Sequence, residues 1–135
     1  MSDAPDIRLN LLLFSAGGVS FAMDAETAVE IADYGGEAAD DLFWFHEVLG
    51  YGAGAPVYTM PTVITIRTED SRSYRVIVDK MEDVTEVGAV DIRPFPPLLE
   101  PVALRKGMWG ITVRDGRIIL LVDISRLVWQ RPDTA

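Results

Sequence analysis

Short apolar runs separated by turn residues dominate the chain, and this pattern predicts strands. Residues 9–14 and 19–23 flank Ala16-Gly17-Gly18. Glycine reaches positive φ without a Cβ clash, so a tight hairpin is expected there. Residues 62–68 and 73–79 form a second expected hairpin around Glu69-Asp70-Ser71. Residues 110–113 and 117–122 are joined by Asp115-Gly116, one of the strongest short-range hairpin signals. Ile118-Ile119-Leu120-Leu121-Val122 is apolar at every position, which predicts a central strand covered from both sides.

Other stretches read differently. In residues 37–50, Leu42, Phe45, Val48 and Leu49 fit helical spacing, while Leu42–Phe45 is also a bulky apolar run suited to a buried strand. A strand turning into a short helix is expected, with Gly50 as its C-cap. Gly50-Tyr51-Gly52-Ala53-Gly54-Ala55-Pro56 reads as a linker. Arg93-Pro94-Phe95-Pro96-Pro97 forbids a helix or a central strand and predicts a rigid extended loop, with Phe95, Leu98 and Leu99 packing inward. An internal echo is present: Asp24 precedes Val29 as Asp79 precedes Val84, and Phe45-x2-Val48-Leu49 resembles Ile124-x2-Leu127-Val128. Two similar β units joined near residues 50–56 would produce it.

Composition narrows the function classes. A chain of 135 residues with 49% hydrophobic and 24% charged residues suits one globular domain, fraying at 1–6 and 132–135. With no cysteine there is no disulfide, thiolate metal site or cysteine nucleophile. The apolar run at 11–14 lacks a basic flank and is too short for a signal peptide or a span, so a cytoplasmic protein without direct membrane insertion is expected. The net charge of −9 argues against nucleic acid. That charge is one-sided. Residues 1–66 hold ten acids and only Arg8, whereas 67–135 hold eleven of each sign. The first half is thus either a solvated face or a surface for a basic partner.

Catalytic signals are weak. His46 is the only histidine and sits among Phe43, Trp44, Phe45 and Val48, which suggests a structural histidine. No serine occupies a nucleophile motif. The 50–55 match to G-x-G-x-x-A lacks the strand-to-helix setting that phosphate binding requires. Paired carboxylates such as Asp24 with Glu26 are expected on any acidic surface. No enzyme activity, cofactor or metal is expected.

Several motifs resemble the chemotaxis coupling proteins of the CheW family. In order, they are Val63–Arg67 with Tyr74-Arg75-Val76-Ile77-Val78-Asp79, then Val84-Thr85-Glu86-Val87, Asp91-Ile92-Arg93-Pro94-Phe95-Pro96, and Gly110-Ile111 through Leu120-Leu121-Val122-Asp123 to Ser125-Arg126-Leu127-Val128. In the first half, Leu11-Leu12-Leu13-Phe14, Phe21-Ala22-Met23-Asp24, Glu30-Ile31 and 42–50 are similar to family segments, although Trp44 replaces an aspartate. The stretch between Ile31 and Leu42 is too short for the family's strand and turn there. The resemblance implies an all-β fold of two small SH3-like five-stranded barrels sharing a core, the first lacking a piece. Subdomain 1 would span about 7–52 plus the final segment, and subdomain 2 about 57–122. It also implies an adaptor between the regulatory domain of a CheA-type histidine kinase and chemoreceptor cytoplasmic tips. Val29, Glu30, Ile31, Ile77, Val84 and Val87 are the expected lining of a partner-binding groove between the barrels. The alternative is a CheW-like interaction module outside chemotaxis, serving another kinase pathway, a decoy role or a homo-oligomer. A dropped strand would leave a sheet edge open, through which a homodimer could form.

Overall fold

The computed structural model describes residues 7–49, 57–68 and 70–129. The expected linker at 50–56, the Gly50 cap and the fraying at 1–6 and 132–135 lie outside the described residues.

Three hairpins follow from turn chemistry. Strands β1 (Arg8–Ala16) and β2 (Val19–Asp24) join through Gly17 and Gly18 at φ 59° and 79°. Two consecutive positive φ angles match the twist of the strands. Strand β3 (Ala28–Asp33) follows, and then β4 (Leu42–Trp44) runs directly into helix α1 (Phe45–Leu49). Strands β5 (Pro61–Arg67) and β6 (Ser73–Gly88) form the second hairpin. Helix α2 spans Glu100–Arg105. Strands β7 (Met108–Arg114) and β8 (Arg117–Val122) turn at Asp115 and Gly116, at φ 53° and 75°. Helix α3 (Ile124–Trp129) ends the described chain.

The strand order is β3-β5-β6-β1-β2-β8-β7, with β4 pairing β6 off this path. Strand β6 is 16 residues long and serves two neighbours. Its first part pairs with β5, from Arg67↔Ser73 to Pro61↔Asp79, and its second part with β1, from Ser15↔Asp79 to Arg8↔Gly88. The direction changes near Lys80, at φ 44°. The two halves exchange their last strands. Strand β4 lies parallel to β6 (Phe43↔Val76), and β8 lies parallel to β2 (Phe21↔Leu120). Each of these strands is followed by a short helix. This exchange accounts for the internal echo, because α1 and α3 carry its second copy and meet in the core.

The shared core is aromatic at its centre. Phe14, Phe21 and Phe45 are at most 1% exposed, with ring centroids 5.8, 5.0 and 4.8 Å apart. Leu12, Ile64, Ile66, Val76, Val78, Ile124 and Leu127 surround them. On the opposite face of β1, Leu11 and Leu13 join Ala22, Ile119 and Leu121 inside the second barrel. Strand β1 is therefore buried on both faces, which explains its unbroken apolar run.

Two expectations need correction. Leu98 and Leu99 do not pack inward: they are 88% and 53% exposed. Helix α2 begins immediately after them, with Pro101 in its first turn, and Ala103 is the residue it buries. Strand β8 is covered on both sides only from Ile119 onward. Ile118, beside the turn, is 62% exposed and pairs with the equally exposed Val113.

Candidate docking surface

The strands form two barrels whose seams differ. The second barrel runs from the distal part of β6 through β1, β2 and β8 to β7. Its seam is held from both ends. Arg93, just after β6, exchanges two backbone hydrogen bonds of 2.8 Å with Ile111 on β7. Arg117 donates two hydrogen bonds, of 3.2 and 3.0 Å, to the Glu82 carboxylate, and Arg114 donates to the Thr85 hydroxyl. The Glu82 carboxylate also raises the pKa of the Arg117 guanidinium.

The first barrel runs from β3 through β5 and the proximal part of β6 to β4. Among the described residues, no strand pairs with the free side of β3 or of β4. Residues 34–41 cross this region without strand structure. The interior is covered by rings instead. Trp44 packs edge-on against Tyr34 and Tyr58, at 5.3 and 5.1 Å. His46 is buried, and its Nδ1 lies 3.1 Å from the Tyr58 hydroxyl, a structural setting. Arg75 donates to both oxygens of Asp41, at 3.0 and 2.9 Å. These charge-assisted bonds hold the Asp41 carboxyl below its usual range against a smaller opposing effect of burial.

Two aspartates at matching points of the internal echo, Asp24 at the end of β2 and Asp79 midway along β6, have similar roles. Asp24 accepts from the Glu26 N–H, capping a 3-10 turn over Ala25–Thr27. Asp79, 7% exposed, accepts from the N–H groups of Thr59 and Met60 at 3.0 and 2.7 Å. Both therefore fix backbone.

The six sequence-predicted residues separate into three groups. Val29, Glu30 and Ile31 are exposed on β3, and Val84 is exposed on the distal part of β6; the three apolar ones are 51%, 40% and 50% exposed. Val87 is half-buried and lines a cavity of about 350 Å³ inside the second barrel. Ile77 is 1% exposed. It is held between its register partners Val63 and Trp44, so it presents no surface and can only support the strands around it. Strand β5 lies between β3 and β6, so β3 and β6 are not neighbours in the sheet.

A larger groove of about 570 Å³ lies elsewhere and contains none of the six. Trp109, Arg67, Arg126, Asp24, Asp123 and Ser125 are among its walls. These residues come from the ends of β2 and β5, the start of β7 and the first turn of α3. No spacing in the sequence signals that they converge. Among the described residues, no group of three or more His, Asp or Glu side chains could hold a metal, and no helix is long and apolar enough to cross a membrane.

No protein-family model matches the chain, and no curated protein matches it. Its structure does match a solved one. The scaffolding protein TtCheW from Thermoanaerobacter tengcongensis superposes with a TM-score of 0.67 at 14% sequence identity, over 94% of this chain and 92% of that one. At that identity the likeness establishes the fold: the chain has the CheW-like architecture of SH3-like β-barrels.

Proposed function

We propose that the chain is a non-catalytic scaffold of bacterial chemotaxis, coupling the regulatory domain of a CheA-type histidine kinase to the cytoplasmic tips of chemoreceptors. It would act in the cytoplasm. The observation that carries this reading is the end-to-end structural match to a scaffolding protein, over nearly the full length of both chains. Exposed apolar side chains on two separate strands, Val29 and Ile31 on one and Val84 on the other, are consistent with it. Such residues anchor binding through a few buried contacts, more than through total area. Glu30 would supply a polar rim contact, and Ile77 the rigid support beneath. The test is a calorimetric titration of the chain with the regulatory domain of a CheA-type kinase from the same organism. Saturable heat supports the coupling role. No heat at high concentration removes the kinase from it.

The open first barrel favours a second reading: a CheW-like interaction module working outside chemotaxis, in another kinase pathway or as a decoy. Chemoreceptor and kinase genes beside this one would count against that reading.

A further inference from the structure

The two seams differ in a way that does not depend on which kinase or receptor is bound. In the second barrel, β7 flanks β8, and the hairpin returns arginines to the acid and hydroxyl of β6. In the first barrel, β4 is the counterpart of β8 but has no counterpart of β7 among the described residues. Its other border, β3, is exposed at five of its six positions. Glu30 and Asp33 stand on β3, and no Lys or Arg among the described residues pairs with either. Residues 24–49 contain eight acids and no Lys or Arg at all. A free strand edge offers a row of unpaired N–H and C=O groups, and such edges take up extended segments by strand addition.

We infer that the first barrel accepts an extended segment of another protein along β3, carrying Lys or Arg where the second barrel has Arg114 and Arg117. The occupant is not a second copy of this chain. Pairing β3 antiparallel with itself over its full length would bring Glu30 of each copy diagonally beside Asp33 of the other on the same face, and β3 carries no base to offset them. The segment needs about six residues to match β3 at roughly 3.4 Å per residue. Alternating apolar side chains on it would meet Val29 and Ile31.

The experiment uses the intact chain and the labelled hexapeptide Lys-Thr-Val-Lys-Val-Thr, which in antiparallel register sets lysines against Asp33 and Glu30 and valines against Ile31 and Val29, with a glutamate-for-lysine peptide as control. Amide hydrogen exchange is followed with and without peptide, and affinity by fluorescence anisotropy. Protection gained at 28–33 is expected, with no binding of the glutamate peptide. The double variant Glu30→Lys/Asp33→Lys should lower affinity about tenfold or more. Both positions are exposed, so thermal unfolding of that variant checks that it folds. Unchanged affinity in the double variant, or no protection at 28–33 at millimolar peptide, overturns the proposal. A dimer in sedimentation that protects the same strand also overturns it, by making a second copy the occupant.

Discussion

The second barrel has β7 against β8 and arginines tied across its seam; among the described residues the first has neither and covers its interior with Trp44, Tyr34 and Tyr58. The two are built from equivalent strands and share one aromatic core. The difference therefore lies in finishing: a barrel can lose its closing strand while the core that both barrels use stays complete. Among the described residues, the edge of β3 presents backbone groups and acids outward, and such positions suit recognition better than stability.

The largest effect should come from what the barrels share. Phe14→Ala removes a fully buried ring that contacts both Phe21 and Phe45. A loss of about 3–5 kcal/mol is expected in urea denaturation. Circular dichroism and tryptophan fluorescence should still report one transition, because Trp44 and Trp109 stand in different barrels. Two separated transitions would show that the barrels fold independently.

Two glycines at positive φ meet opposite surroundings. Gly107, at φ 69°, would place a Cβ 2.6 Å from Leu127 Cγ in α3. Gly36, at φ 87° in the first barrel's crossing segment, has nothing within 4 Å. Gly107→Ala should therefore cost about 2–4 kcal/mol, strain and overpacking together. Gly36→Ala should cost only the backbone term, about 1–2 kcal/mol. Midpoints from the same denaturation series give both values.

The seams differ by less. Arg117→Met should lower the midpoint only slightly, because its pair with Glu82 is exposed and screened by solvent. Glu30→Gln should be neutral or slightly stabilising, since it removes an unpaired acid from an acidic surface. Opposite signs in thermal unfolding would support the contrast, and a clear loss for Glu30→Gln would break it.

The smallest effect is electrostatic. Asp41 has its folded pKa lowered by Arg75, so its contribution is present above the unfolded pKa of about 4 and is lost as pH falls through the lower folded value. Asp41→Asn should lower stability modestly at neutral pH and leave it almost unchanged well below about pH 4, so that the acid limb of a stability–pH profile is flatter. The pair is half exposed and screened by solvent, so the change should be modest.

Much of this architecture is legible in the sequence because turns are local. Gly17-Gly18 and Asp115-Gly116 announce their hairpins through the φ they require, and Leu42–Leu49 announces a strand entering a helix by its change of period. Longer-range features are less visible. The bend near Lys80 makes one strand of two apparent segments, and only the pairing of β6 with both β5 and β1 reveals it. Helix α2 escapes notice because the prolines before it suppress helical expectation, although Pro101 is at home in a first turn.

The candidate docking surface is legible only in part. Val29, Ile31 and Val84 are indistinguishable by residue type from Ile77, yet they are half exposed and Ile77 is core. An apolar residue on a strand faces in or out according to register and neighbours, which depend on which strands are present. The groove around Trp109 is invisible for a related reason, since its walls come from four separated segments.

The most direct test of the coupling account is the titration with the kinase regulatory domain, run in parallel on the unaltered chain and on Val84→Asp. Val84 is half exposed, so its melting temperature should hardly move. The account predicts saturable heat for the unaltered chain and none for the variant. Equal heat from both chains, or a variant that loses binding only because it unfolds, would contradict it.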